Sequence, residues 1–203
     1  TIGRDFGDVA RKVYATASGT LPNGKPVIVN SDGTVSVVSG ADQALGSEVF
    51  FESANAQYYA VTFDSNANKI VIAYRNVGNN GYGTAIVGTV SGTNISFGTA
   101  VVFESALTNL SGATFDSNSN KVVIAYSDAV NSNYGTAVVG TVSGTNISFG
   151  TPVVFESAAT QGGNSASISL TFDSNSNKVV IAYCDSGNNS YGTAIVGTVS
   201  GTS

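Results

Sequence analysis

The chain has 203 residues, of which 42% are hydrophobic and 10% are charged, and its 13 acidic and 8 basic residues give a formal net charge of -5. Because it has no histidine and one cysteine, we exclude Ser-His-Asp and Cys-His catalytic pairs, histidine-bearing zinc sites and an internal disulfide. The few, scattered basic residues argue against nucleic-acid binding, and the longest apolar runs are far shorter than the roughly 18 residues of a membrane-spanning helix.

Residues 1–46 are predicted to form an N-terminal arm and a hairpin. Four of the eight basic residues lie in the first 25 positions. Two runs of β-branched residues then flank Ser-Asp-Gly around Asp32 and Gly33, which is typical of a hairpin turn. The segment is either an attachment arm or a frayed terminus followed by one extra hairpin.

An internal repeat of about 52 residues dominates residues 47–203. The block FDSNSNKVVIAY occurs at Phe115–Tyr126 and again, unchanged, at Phe172–Tyr183, and a close variant occurs at Phe63–Tyr74. Blocks of the type GTAVVGTVSGT and NISFGTAVVFESA follow in the same order. We therefore predict three repeats, called repeats 1, 2 and 3, over residues 57–106, 110–158 and 167–203.

Four strands are predicted in each repeat. In repeat 1 the first ends at Phe63, the second is Lys69–Tyr74, the third is Thr84–Val90, and the fourth is Ile95–Phe103 with a bulge or bend at Gly98. The second strand is apolar on both faces and must be covered on both sides. These features predict an all-β fold of tandem four-stranded antiparallel repeats, β-propeller-like, with a β-sandwich or another stacked β-repeat as the alternative.

The repeats are out of phase with the chain. Ser47–Ser53 matches the end of a fourth strand and is predicted to be a spare one, whereas repeat 3 lacks its fourth strand. Three explanations stay open: the spare strand closes a propeller, the chain is an excerpt of a longer array, or the strand of one molecule completes the next molecule.

Acidic and lysine side chains recur at the same place in every repeat, which is more simply explained by the fold than by catalysis. We assign them to turns, caps and solvated edges and predict no catalytic residue. They are Glu52, Glu104, Glu156, Asp64, Asp116, Asp173, Lys69, Lys121 and Lys178.

The D-S-N-x-N turn begins like an EF-hand calcium loop and then departs from it. Lysine stands where the loop requires glycine, and Arg75, Ser127 or Cys184 stands where a bidentate glutamate belongs. No metal site and no cofactor are predicted.

The loops between the second and third strands end in Tyr82, Tyr134 and Tyr191, beside glycine and amide side chains. Tyrosine with asparagine and serine on loops is typical of adaptable binding surfaces, including those for sugars, so these loops are candidate ligand-binding sites. The alternative is a tyrosine packed over its own glycine turn. N-x-[ST] sequons make Asn94, Asn109, Asn146 and Asn188 candidate glycosylation sites in a secreted protein.

The recurring FDSNSNKVVIAY, GTAVVGTVSGT and NISFGTPVVFESA blocks resemble β-repeat, propeller-like arrays of predicted phage virion and tail-fibre-like proteins and of uncharacterised environmental extracellular proteins. The likeness covers Ser47 to Ser203. It implies an extracellular or virion-surface location and a structural or adhesive role, and it transfers no functional residue.

The leading hypothesis is a non-enzymatic extracellular subunit of a fibre or filament, assembled head-to-tail by strand complementation between chain ends. It predicts self-association as a homopolymer, with neither nucleic acid nor membrane insertion. The alternative is a phage tail-fibre or lectin-like adhesin that binds surface carbohydrate through the tyrosine loops. A hydrolase using Asp128 or Asp185 is the third hypothesis.

Overall fold

The computed structural model describes residues 15–21, 26–37, 45–160 and 168–202. Their regular structure is antiparallel β-sheet with short 3₁₀ turns at Val77–Asn79 and Ser186–Asn188, which confirms the all-β prediction. No helix in this described part has the length and apolar character to cross a membrane. The chain divides into two compact units, Thr1–Leu45 and Gly46–Ser203.

The first unit contains a hairpin of β1 (Val27–Val29) and β2 (Val35–Val37). In its turn the Asp32 carboxylate accepts hydrogen bonds from the backbone N–H and the hydroxyl of Thr34, at 2.9 and 2.7 Å. These bonds favour the charged carboxylate and lower the pKa of Asp32. The basic residues predicted as an arm, Arg4, Arg11, Lys12 and Lys25, lie outside the described residues.

The second unit begins with five strands that follow one another along the chain. They are β3 (Ala56–Asp64), β4 (Lys69–Asn76), β5 (Tyr82–Ser91), β6 (Asn94–Phe97) and β7 (Val101–Asp116). Seven further strands repeat the pattern. They are β8 (Lys121–Asp128), β9 (Tyr134–Ser143), β10 (Asn146–Phe149), β11 (Val153–Ala159), β12 (Ser169–Asp173), β13 (Lys178–Asp185) and β14 (Tyr191–Gly197).

These strands form two sheets. The larger has nine strands in the order β10-β9-β8-β7-β5-β4-β3, with β6 beside β5 and β11 beside β9, and the smaller is β12-β13-β14. The described residues form no closed barrel or propeller. The strands of repeats 1 and 2 belong to the one nine-stranded sheet, and those of repeat 3 form the smaller sheet.

The cause is β7, a single strand of 16 residues that belongs to both repeats. Its first part pairs with β5, with Val102 opposite Thr84, and its second part pairs with β8, with Thr114 opposite Val123. The stretch between the two parts, Ser105–Asn109, contains neither glycine nor proline, so nothing in it breaks the extended chain.

Two predicted strands differ from the observed ones. Ile95–Phe103 is interrupted, because β6 ends at Phe97 and β7 begins at Val101. A Cβ at Gly98 would lie 2.0 Å from the carbonyl oxygen of Thr145, so only glycine fits this close crossing. The spare strand predicted at Ser47–Ser53 is not a strand, because Gly46–Phe50 has no sheet partner among the described residues.

The D-S-N-x-N turns join the first two strands of each repeat. In repeat 2 the Asp116 carboxylate accepts from the backbone N–H groups of Asn118 and Ser119, at 2.8 and 3.0 Å, and Asn120 closes the turn with a left-handed φ of 56°. This confirms the turn role of the recurring aspartates. Asp64 and Asp116 are buried within these turns.

The core of the second unit consists of layers between successive repeats. The first layer joins repeats 1 and 2 and contains Val71, Ala73, Val87, Phe103, Val122, Ile124, Tyr126 and Val138. The second layer joins repeats 2 and 3 and contains Val123, Ala125, Ile168, Val179, Ile181 and Tyr183. A third, smaller cluster covers the outer side of repeat 1.

Candidate interaction surfaces

One contact recurs wherever a fourth-strand sequence meets the repeat that follows it. The phenylalanine of the Phe-Glu-Ser block stacks at an angle on the tyrosine that ends the Val-Ile-Ala-Tyr run, and the neighbouring glutamate accepts the hydrogen bond of that tyrosine's hydroxyl. The ring centroids are 5.2, 5.3 and 5.3 Å apart for Phe51–Tyr74, Phe103–Tyr126 and Phe155–Tyr183. The hydroxyl-to-carboxylate distances are 3.2, 2.9 and 2.8 Å for Tyr74–Glu52, Tyr126–Glu104 and Tyr183–Glu156.

These glutamates therefore do more than the turn and edge role predicted for them. Glu156 accepts from the backbone N–H of Ala158 with one carboxylate oxygen and from Tyr183 with the other. Both residues lie in runs that the sequence repeats without change, Phe-Glu-Ser and Val-Ile-Ala-Tyr, so recurrence marks each of them without showing that they touch.

The tyrosine hydroxyls in these contacts are held in their protonated form. Burial, reinforced by the adjacent glutamate carboxylate, raises the pKa of Tyr74 and Tyr126 far above the ordinary value and that of Tyr183 to about 12. A protonated hydroxyl is the form that donates to a carboxylate, so the contact persists throughout the neutral pH range.

The segment Gly46–Ser53, called the edge segment, packs on repeat 1 as the fourth strands of repeats 1 and 2 pack on repeats 2 and 3. Besides the Phe51 and Glu52 contacts, a Cβ at Gly46 would lie 1.7 Å from the carbonyl oxygen of Thr93. At the equivalent positions, a Cβ at Gly98 would lie 2.0 Å from the carbonyl oxygen of Thr145, and a Cβ at Gly150 would lie 1.9 Å from that of Thr202. The segment therefore follows a fourth-strand path without having a sheet to pair with.

The outer side of repeat 3 exposes apolar residues that repeats 1 and 2 bury. This repeat 3 face consists of Val180 and Ala182 on β13 and of Ala194 and Val196 on β14, which are paired across the strands. Val196 is 63% exposed, and Ala182 and Ala194 are also exposed. Their counterparts in repeat 1, Val71, Ala73, Ala85 and Val87, are fully buried against repeat 2.

The outer side of repeat 1 is the complementary half of the same kind of layer. This repeat 1 face consists of Val61 and Phe63 on β3 with Ile72 and Ile70 opposite them on β4. Val61 and Phe63 are 59% and 50% exposed. In repeats 2 and 3 the phenylalanine equivalent to Phe63 packs against the preceding repeat.

The outer edge of the three-stranded sheet is open at β14 within the described residues. A comparison of Gly192 on β14 with the equivalent glycines of repeats 1 and 2 shows that a packed side chain is absent there. A Cβ at Gly83 or Gly135 would lie 2.4 or 2.5 Å from the ring of Phe103 or Phe155, but nothing lies within 4 Å of a Cβ at the equivalent Gly192. The site that holds a phenylalanine in repeats 1 and 2 is therefore unfilled beside Gly192.

An apolar cavity of about 160 Å³ lies between repeats 2 and 3. Its walls include Val139, Val153 and Phe155 from repeat 2 and Ile195 and Val199 from repeat 3. At the equivalent place between repeats 1 and 2, Ile147 and Phe149 fill the layer, and the ring of Phe149 lies 5.6 Å from that of Phe103. The cavity thus corresponds to a missing large side chain beside Phe155.

The predicted ligand-binding tyrosines occupy the first position of a strand in each repeat. Tyr82 and Tyr134 are half-buried, and Tyr191 is 59% exposed because no strand covers β14. None of the three lines the apolar cavity. Tyr82 and Tyr134 lie opposite Leu107 and Ala159 on the neighbouring strands.

The sequons lie in different environments. Asn94 and Asn146 are exposed at the start of β6 and β10, and Asn188 is exposed in a 3₁₀ turn. Asn109 is half-buried in β7, where its side-chain oxygen accepts a hydrogen bond from Arg75 at 2.9 Å.

The polar groups near the loops have structural partners. The thiol of Cys184 donates to the carbonyl oxygen of Ser190 at 3.4 Å, as the hydroxyl of Ser127 donates to that of Asn133 at 3.2 Å. Within the described ranges, no group of three or more His, Cys, Asp or Glu residues is placed to hold a metal ion.

Neither a protein-family model nor a curated protein matches the chain. The interaction surfaces therefore rest on the geometry of this chain alone.

Proposed function

We propose that the protein is a non-enzymatic structural subunit that polymerises head-to-tail into an extracellular fibre or filament. The single observation that supports this most strongly is the pair of exposed faces, on repeat 1 and on repeat 3. Each is one half of a layer that the chain already forms twice within itself. When the repeat 3 face of one molecule packs on the repeat 1 face of the next, the contact is heterologous. Such a contact propagates into a filament unless it closes into a ring.

The finer architecture belongs to the same proposal. We take the second unit as a stack of four-stranded repeats of propeller-blade type, in which each fourth strand covers the next repeat. The recurrence of the Phe-Glu-Tyr contact at every junction supports this. In such an array each repeat contacts only its neighbours, and every interface between repeats is of the same kind. Two molecules can therefore join through the same kind of interface that already joins the repeats within one molecule.

The exposed apolar area gives the driving force for assembly. A side chain of the size of valine or phenylalanine contributes about 1.5–3 kcal/mol when it is fully buried. Val61, Phe63 and Val196 are each at least half exposed in the single chain. Covering them is the expected gain from contact with a second molecule.

Light scattering coupled to size exclusion, followed by negative-stain microscopy, tests the proposal. We expect species larger than one chain whose mass rises with concentration, and linear particles. Val196→Glu on the repeat 3 face is expected to abolish them. The matched control is Val130→Glu in the turn between β8 and β9, because Val130 is also exposed, at 73%, and lies outside both faces. A parent chain that stays monomeric at its solubility limit would overturn the proposal.

Carbohydrate binding by an adhesin is the second candidate, and the exposed phenol ring of Tyr191 is the observation that favours it. The test is a glycan array with the parent chain and with a variant in which Tyr82, Tyr134 and Tyr191 are all replaced by serine. Binding that disappears in the variant supports the adhesin, and binding that survives excludes these loops as the site.

A further inference from the structure

The edge segment has one side bound and one side free. Phe51 and Glu52 anchor it on repeat 1 through Tyr74. Its backbone has no sheet partner from Gly46 to Phe50 within the described residues, and Phe50 is 86% exposed. It is therefore an exposed segment without a sheet partner among the described residues, anchored on its own molecule at Phe51 and Glu52.

The edge of β14 is the matching surface. β5 and β9, the equivalents of β14, each pair with the strand that contains the Phe-Glu-Ser block: Ala85 lies opposite Val101, and Ala137 lies opposite Val153. Gly83 and Gly135 lie opposite the glutamates of those blocks, Glu104 and Glu156. The same register assigns partners to the first four residues of β14, Tyr191 to Ala194.

We infer that the edge segment of a second copy of this chain adds to β14 as its fourth strand. Val49 then lies opposite Ala194, Glu52 lies opposite Gly192, and the ring of Phe51 fills the free space beside Gly192. This inference rests on the proposed function and names the strand, the register and the partner. Addition of an extended segment to an exposed sheet edge is a well-established mode of recognition, in which backbone hydrogen bonds give affinity and alternate side chains give specificity.

The apolar cavity fits the same arrangement. Leu45, immediately before the edge segment, stands at the sequence position of Phe97 and Phe149 and is 97% exposed in the single chain. The rings of Phe97 and Phe149 lie against Gly88 and Gly140. At the equivalent Gly197, a Cβ would have only the carbonyl oxygen of Val179 within 4 Å, at 3.9 Å. In the second copy Leu45 is the large side chain that enters the cavity beside Phe155.

The occupant is a second copy because the partner must present two features in a fixed relation. It must supply a Phe-Glu-Ser strand that pairs with β14. It must also supply an apolar face, with the tyrosine that contacts this strand, that packs against the repeat 3 face. The edge segment and the repeat 1 face of this chain are held in that relation by the Phe51 and Glu52 contacts. The polymer therefore continues both the sheet and the stack from one molecule to the next.

Disulfide trapping with mixed single-cysteine chains tests the register. In a Cys184→Ser background, one chain carries Val49→Cys and the other carries Ala194→Cys. Opposite residues of antiparallel strands have Cα atoms roughly 4.5–5.5 Å apart, within the roughly 4.4–6.8 Å that a disulfide spans. The control partner is Val196→Cys, on the same face but two residues along β14, at a diagonal distance of about 7–8 Å.

We expect at least a tenfold excess of mixed dimer for Val49 with Ala194 over Val49 with Val196, on non-reducing gels with peptide mapping. Polymers that form without this preference would overturn the register and leave the proposed function standing. A parent chain that forms no polymer would overturn both.

Gly192→Val is the second test, and it does not depend on cysteine chemistry. Because nothing lies within 4 Å of a Cβ at Gly192, the single chain should keep its urea midpoint. The valine would occupy the space of the incoming Phe51, so we expect the mass seen by light scattering to fall to that of one chain. Assembly unchanged by Gly192→Val would overturn the inference.

Discussion

Removing the hydroxyl of Tyr126 tests whether the glutamate-tyrosine contact stabilises the stack. Tyr126 is fully buried and donates to Glu104 at 2.9 Å. A hydrogen bond to a charged group contributes about 1.5–3 kcal/mol, and the half-buried carboxylate of Glu104 places the expected loss in Tyr126→Phe near the lower end, about 1.5 kcal/mol. The ring and its contact with Phe103 are retained, so the loss reports the hydroxyl alone.

The equivalent change in repeat 1 is expected to cost less. Tyr74 donates to Glu52 over 3.2 Å, and the amide of Asn76 donates to the same carboxylate oxygen and remains there in Tyr74→Phe. We expect a loss of about 0.5 kcal/mol for Tyr74→Phe. Tyr82→Phe is the control, because the hydroxyl of Tyr82 has no hydrogen bond in the described part of the chain.

The assay is urea unfolding followed by far-ultraviolet circular dichroism, at a concentration at which each variant is monomeric. Equal m-values for all variants keep the differences in midpoint interpretable as differences in the free energy of unfolding. The reasoning is refuted if Tyr126→Phe is as stable as Tyr82→Phe, or if Tyr74→Phe loses more than Tyr126→Phe.

Three other perturbations have expected outcomes. The pKa of Tyr183 is about 12 in the folded chain, against roughly 10 in an unfolded chain. The protonated hydroxyl therefore stabilises the fold fully below about pH 10, and this stabilisation is lost as the pH rises through 12. The free energy of unfolding should fall over that window, and it should fall by less in Tyr183→Phe. Gly135→Ala should cost about 1–3 kcal/mol in urea unfolding, because its Cβ would lie 2.5 Å from the ring of Phe155, whereas Gly192→Ala should cost nothing; equal effects would contradict the packing argument. Leu45→Phe should lower the concentration at which light scattering detects assembly, and Leu45→Ser should raise it; no change in either would remove Leu45 from the interface.

The sequence predicts the local structure of this chain well and its long-range pairing less well. The Asp and Asn residues of D-S-N-x-N bond their own backbone or adopt left-handed φ values, so a hairpin turn follows from residues within five positions of one another. The strands on either side follow from β-branched runs. Such features do not depend on the rest of the fold, and Lys69–Tyr74 lies within β4 as predicted.

Features that depend on distant residues were not predicted. The continuity of β7 depends on which sheets its two parts join, and no residue in Ser105–Asn109 signals that choice. The contact of Glu104 with Tyr126 spans 22 positions, and recurrence alone does not reveal which recurring residues touch. Ser47–Ser53 matches a fourth strand in sequence, but a strand needs a neighbour, and the described residues supply none.

Differences between the repeats also bear on how copies fit together. Gly112 of repeat 2 lies under Leu170 of repeat 3, whose Cδ2 would be 2.4 Å from a Cβ at Gly112. The equivalent pair between repeats 1 and 2 is Ala60 with Ala113. Compared with this pair, Gly112 is smaller and Leu170 is larger, so the layer between repeats 2 and 3 stays filled at this place.

In the proposed contact between two copies the equivalent pair is Ser169 of one chain with Val61 of the next, which would again join a small side chain to a larger one. A twofold dimer of repeat 1 faces would instead set Val61, Phe63, Ile70 and Ile72 of one copy against the same four residues of the other, with no small residue among them. The same dimer would leave the edge of β14 unpaired in both chains. The proposed head-to-tail contact would satisfy the side-chain volumes and the backbone edge together, and a heterologous contact of this kind gives an open polymer unless it closes into a ring.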